Sequence, residues 1–259
     1  MRKPFLRFAA VLLLCLAVLA RASDGSRQPA EETWSSALSA LQSNDAATAE
    51  RLFTQWIAES EKAGIRSPEA HYNLGLAYWN LKRPGPSVYH FLKSTTYSSS
   101  PWKRLSTLNT LADIEKEIGV RDGVAVNTNF KAHMTLDEDW LLFLITIAFW
   151  GLVGAGLLWW LQGNRAKKAA RQIAIVPAIF LLVSLLGYAY RATGPSVGVL
   201  DGELGGVNVF RIPEEKADNK LVELPAGTIV LSGRTQNDFI EIYDPVSGWV
   251  STKSYQTIR

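Results

Sequence analysis

A run of 22 residues without a charge, WLLFLITIAFWGLVGAGLLWWL at Trp140–Leu161, constrains this chain more than any other feature. As a helix rising 1.5 Å per residue it reaches about 33 Å, enough for a hydrocarbon layer of about 30 Å. Thr135 followed by Glu138 has the form of a capping box, and Asp137 and Asp139 suit a positive helix end. Trp140, Trp159 and Trp160 match the aromatic belt found at headgroup level. A second apolar segment, Ile173–Tyr190, is 18 residues long, with Pro177 in its first turn. The expectation is a two-helix transmembrane hairpin, spans 140–161 and 173–190. The alternative for either segment is a buried core helix.

The loop between them, residues 162–172, carries Arg165, Lys167, Lys168 and Arg171. Short cationic loops stay in the cytoplasm, so this loop is expected inside, with residues 23–135 and 191–259 exported. Ala148, Gly151, Gly154 and Ala155 on the first segment, with Ser184 and Gly187 on the second, permit close helix approach. Neither segment contains Asp, Glu, Lys, Arg or His, which argues against a channel, pump or transporter. The net charge of +3 is unevenly placed, and no basic face suited to nucleic acid is evident.

Arg2, Lys3 and Arg7 precede the 12-residue apolar core Phe8–Leu19, and Ala20-Arg21-Ala22 completes a signal-peptide pattern over residues 1–22. Cleavage is expected after Ala22, the alternative being a retained N-terminal anchor. The single cysteine, Cys15, lies inside that core, so the mature chain would lack thiols and disulfides. That excludes cysteine-nucleophile and thiol-redox chemistry.

Residues 31–118 are rich in helix formers. The best unit is PEAHYNLGLAYWNLKRPGPSVYHFLKSTTYSSSP, 34 residues from Pro68 to Pro101. It resembles a tetratricopeptide repeat: Leu74-Gly75 before Tyr78, then Ser87, Phe91 and Ser94 at the small-large-small positions, and a closing proline. RPGP, Arg83–Pro86, reads as a helix stop. A weaker copy precedes it, with Ala37, Ala40, Ala49, Phe53 and Trp56. Leu105, Leu108, Leu111 and Ile114 mark a following helix ended by Gly119. The resemblance implies a groove lined by Tyr72, Asn73, Leu76 and Trp79, where Asn73 can bond a peptide backbone. The alternative is that Tyr72 and Trp79 pack against the neighbouring repeat. Lys103 and Arg104 are out of register for a carboxylate clamp. His71, His90 and His133 lack metal-ligand spacing, so no metal and no cofactor are expected. Residues 119–135 read as a linker that can hold a short amphipathic piece.

From Pro195 onward, short alternating runs bounded by Gly, Pro, Asn and Asp indicate an all-β unit over 196–258. LVELPAGTIVLSGRTQNDFIEIYDPVSGWVSTKSY resembles a bacterial SH3-like (SH3b) domain, implying a small barrel. Tyr243 and Trp249 are its candidate ligand surface, with the alternative that Trp249 is core.

Signal, helical repeats, hairpin and SH3-like tail, in that order, resemble the E-type proteins of the Bat aerotolerance family. The resemblance implies a multi-domain chain in the bacterial inner (cytoplasmic) membrane, with the repeats and the SH3-like domain both periplasmic. It implies a non-enzymatic membrane-anchored scaffold acting in envelope or oxidative-stress tolerance. Its partners would be membrane proteins with von Willebrand A domains and, indirectly, a MoxR-type AAA ATPase. The alternative is a cell-wall sensor or anchor holding peptidoglycan through the SH3-like domain. No Ser-His-Asp grouping, glycine-rich phosphate loop or paired metal-ligand motif stands in the sequence, so no catalytic residue is assigned.

Overall fold

The computed structural model describes residues 31–120, 123–135, 138–161, 164–192, 196–202 and 206–258. The expected signal peptide and its cleavage site after Ala22 lie outside these residues. Five helices open the described chain: α1 Glu31–Gln42, α2 Ala46–Lys62, α3 Pro68–Asn80, α4 Pro84–Tyr97 and α5 Pro101–Glu117. Each packs on its neighbour in sequence. Local chemistry sets their starts. Asp45 accepts the Thr48 amide at 3.1 Å, and Ser67 accepts that of Ala70 at 3.2 Å. Proline occupies the first turns of α3, α4 and α5, where a missing amide hydrogen costs little.

The small-large pattern has a direct structural counterpart. A Cβ on Gly75 would lie 3.2 Å from three atoms of the Phe91 ring. Next to that contact, Ser87 donates its hydroxyl to the Gly75 carbonyl at 2.8 Å. Ala37, Ala40, Ala49, Phe53 and Trp56 form a second buried cluster with Ala70 and Leu74.

Residues 196–258 form a single seven-stranded sheet, antiparallel in every pairing. Its strands are β1 Ser196–Leu200, β2 Gly206–Phe210, β3 Lys220–Pro225, β4 Ile229–Gln236, β5 Phe239–Asp244, β6 Gly248–Ser251 and β7 Tyr255–Thr257. The order is β3-β2-β6-β5-β4-β1-β7. Asn237 and Asp238, at φ of 50° and 60°, make the tight β4–β5 turn.

The stretch read as a linker does not behave as one. It holds a 3-10 turn, Val124–Val126, and helix α6, Thr128–Thr135. Val124, Ala125, Phe130 and Met134 are buried with Val88, Phe91 and Leu92 of α4 and Leu108, Leu111 and Ile114 of α5. The same cluster contains Val197, Val199 and Ile229 from β1 and β4. The Pro84–Pro86 stretch adds to this joint: a Cβ on Gly85 would meet the Asp201 carboxylate at 2.5 Å. Helices and sheet therefore share one core, where the sequence implied separate modules.

Two helices remain, α7 Glu138–Leu161 and α8 Asn164–Ala192, packed on each other. Ala148, Ala155 and Ser184 are buried between them. Gly151 abuts Pro177, and Gly187 abuts Leu141, while Gly154 meets nothing within 4 Å. Pro177 sits well inside α8 rather than in a first turn. Arg165, Lys167, Lys168 and Arg171 fall on that helix, so most of the expected loop is helical; their side chains lie outside the described residues. Phe143, Trp150, Val176, Phe180, Val183 and Leu186 are more than half exposed.

Among the described residues, no helix is long and apolar enough to cross a membrane. The expected fold class, an all-α repeat array, a transmembrane hairpin and an SH3-like barrel, is corrected on this ground. So are the two spans and the inner-membrane placement with both ends periplasmic. What stands is a set of helices joined through a common core to a seven-stranded antiparallel sheet.

The glycine contacts predict opposite outcomes at two positions. Gly75→Val, pressed against Phe91, should destabilise the chain by about 1–3 kcal/mol in urea unfolding. Gly154→Ala, in open space within α7, should stabilise it by up to about 1 kcal/mol.

Candidate functional site: a groove across the helical layer

Helices α1, α3, α4 and α5 together frame an open groove of about 340 Å³, α4 contributing Ser94. Trp34 comes from α1, Glu69, Tyr72 and Asn73 from α3, and Lys103 and Thr107 from α5. Helical spacing places Glu69, Tyr72 and Asn73 on one face of α3, since positions three and four apart are neighbours. Trp34 is held by stacking edge-on against Phe53 at 5.5 Å and tilted on Trp56 at 4.9 Å. Tyr72 is braced edge-on by Phe91 at 5.1 Å. A second hollow of about 410 Å³ adjoins the first, sharing Trp34, Pro68 and Glu69.

The groove has a polar edge. Lys103 Nζ pairs with Glu69 Oε1 at 2.9 Å, and that hydrogen bond holds the Glu69 carboxyl below its usual range. Both side chains are more than half exposed, so the pair contributes little to stability. Its weakness leaves both groups available to a ligand. Arg104 is buried instead, donating to the Ser98 and Thr135 carbonyls. It ties α5 to its surroundings and does not reach into the groove.

Of the four groove residues expected from sequence, Tyr72 and Asn73 line it. Leu76 and Trp79 instead pack against the core shared with the sheet. Sequence reasoning missed Trp34, because the eroded first repeat offered no motif to mark it. On the sheet, Trp249 is buried with Phe210 and Phe239, its ring covered by the Arg234 guanidinium at 5.4 Å. Tyr243 is exposed and donates to Glu241 at 3.2 Å; Glu241 also accepts from Arg234 at 2.8 Å. The two residues expected to form one ligand surface thus have different surroundings, with Trp249 in a core and Tyr243 at the surface.

The fold also joins two histidines that sequence spacing kept apart. His71 and His90 stack at 5.2 Å with their Nδ1 atoms 2.9 Å apart, so one imidazole donates to the other. Tyr78 stacks on the far face of the group at 5.4 Å from His90. Burial chiefly pushes His71 down to about 4 and His90 down to about 3; Lys93 acts on both, and His71 on His90. Both rings are neutral near pH 7, which is what packing between tyrosines requires. The His133 side chain lies outside the described residues. Among the described residues, no three His, Cys, Asp or Glu side chains converge as a metal site.

No family model, no curated protein and no solved structure matches this chain. Its functional reading therefore rests on the groove and the residues that build it.

The histidine pair sets an acid dependence. Their folded values lie below the unfolded value near 6.5, so the folded chain binds fewer protons and their contribution is complete above pH 6.5. It is lost as pH falls towards 4 and then 3. Between pH 7 and pH 5 the loss should reach about 2 kcal/mol per imidazole in urea unfolding, and His90→Phe should cut the total to roughly half, leaving the share of His71.

Proposed function

We propose that this chain is a non-enzymatic protein-binding scaffold whose helical groove holds an extended segment of a partner. The observation that carries this reading is the convergence of Trp34, Tyr72 and Asn73 beside a solvent-exposed Lys103–Glu69 pair. Two aromatic walls supply apolar contact at low entropic cost, and the Asn73 amide can both donate to and accept from a peptide backbone. The exposed ion pair can exchange internal partners for groups on the ligand.

The resemblance of the repeat and tail motifs to those of the Bat aerotolerance proteins suggests the partners. Proteins with von Willebrand A domains are the first candidates, with a MoxR-type AAA ATPase acting beyond them. In this reading the seven-stranded sheet braces the helices through the shared core. A wall-binding role for the sheet is less well supported, because Trp249 is committed to packing and leaves Tyr243 alone at the surface.

Binding of purified von Willebrand A domains to the full chain, followed by titration calorimetry, tests the proposal. Trp34→Ala and Asn73→Ala should each weaken binding at least tenfold, while Tyr243→Ala leaves it unchanged. Binding that survives both groove substitutions, or that is lost only with Tyr243→Ala, rejects the groove.

A further inference from the structure

Glu115 is fully buried near the end of α5, where an apolar residue would suit the pattern of Leu108, Leu111 and Ile114. Its carboxyl lies against backbone from two other parts of the chain. Oε2 accepts from Ala125 at 2.9 Å, and the backbone amides of Val124 and Ile229 also favour its charged form. Val124 and Ala125 form the 3-10 turn after α5, and Ile229 opens β4, which packs on that turn. One side chain thereby fastens α5 to the turn on which the sheet rests, at the core where helices and sheet meet.

The fit around it is close. A Cβ on Gly123 would collide with the carboxyl, so only glycine lets the turn lie this near. Oε1, by contrast, has no hydrogen-bond partner among the described residues. No described cation faces the group from the elements packed on it. The 3-10 turn and the first residues of β4 carry none, and Lys131 of α6 bonds Asn109. The titratable group that acts on it is Asp244, at the end of β5, and its charge is of the same sign.

We propose that Glu115 is a proton-dependent latch between the helical layer and the sheet, firm while its carboxyl is protonated and loosened when it ionises. Ionisation puts a charge among Leu111, Val124 and Ile229, with an unpartnered oxygen and Asp244 nearby. Opening the turn and the start of β4 to water relieves that charge. Burial pushes the group up to about 7, against the pull of the three amides, and Asp244 adds to the rise. The folded value exceeds the unfolded value near 4.5, so the latch contributes fully below pH 4.5 and weakens as pH rises through 7. The inference does not depend on what the groove binds.

Amide hydrogen exchange on the full chain at pH 6 and pH 8.5, corrected for intrinsic rates, tests it. Protection of the Val124, Ala125 and Ile229 amides should fall at least tenfold at the higher pH, while amides of α3 keep theirs. Glu115→Gln should remove the pH difference, and Asp244→Asn should shift its midpoint slightly lower, because a like charge that opposes ionisation is gone. If the glutamine variant does not fold, the Glu115 carboxyl carbon can be titrated by NMR in the unsubstituted chain. A midpoint above 6 supports the latch. A midpoint below 5, unchanged protection at pH 8.5, or an equal loss in Glu115→Gln overturns it.

Discussion

A single apolar core joins the two halves of this molecule, and most of the other features follow from it. Val88, Phe91 and Leu92 of α4 and Leu108, Leu111 and Ile114 of α5 are buried together with Val197, Val199 and Ile229 of the sheet. Burying such side chains is worth about 1.5–3 kcal/mol each, so neither half gives up its share without loss. A short helical array ordinarily lacks enough internal surface to be stable alone. Here the sheet supplies the missing face, and the turn and helix of residues 123–135 fill the remaining side.

That bracing bears on the groove. Its walls come from four helices, and its shape depends on their spacing. Gly75 against Phe91 fixes the approach of α3 to α4, and Phe91 belongs to the core that reaches the sheet. Leu76 and Trp79, one and two turns beyond Tyr72 on α3, pack against that same core, as Tyr72 does. A binding surface on α3 is thus held in place by packing along the same helix, the arrangement that pre-organised recognition requires.

Much of the local structure was legible in the sequence. Arg83–Pro86 marked the break between two helices, Gly75 and Ser87 marked a close helix crossing, and the alternating runs after Pro195 marked strands. Of the six small residues read as permitting close approach of the two apolar segments, Ala148, Ala155 and Ser184 are buried and Gly151 and Gly187 abut the other helix, while Gly154 meets nothing. What sequence could not give was long-range. The His71–His90 pair needs two helices brought face to face. The Glu115 latch needs a strand more than a hundred residues away, and a buried glutamate in a helical pattern reads as a solvated position. The linker reading failed because Val124, Phe130 and Met134 are too few and irregular to announce a core. The membrane reading rested on two uncharged runs, their tryptophans and the cationic loop between them, yet no described helix is long and apolar enough to cross a membrane.

The account's central claim is that helices and sheet are one cooperative body. Native-state hydrogen exchange of the full chain carrying Ile229→Ala tests it most directly, because this change removes core volume from the sheet side only. A loss of about 2–5 kcal/mol is expected, appearing equally in the slowest amides of α4, α5, β1 and β4. Loss confined to the strands, with α4 and α5 protected as before, would contradict it.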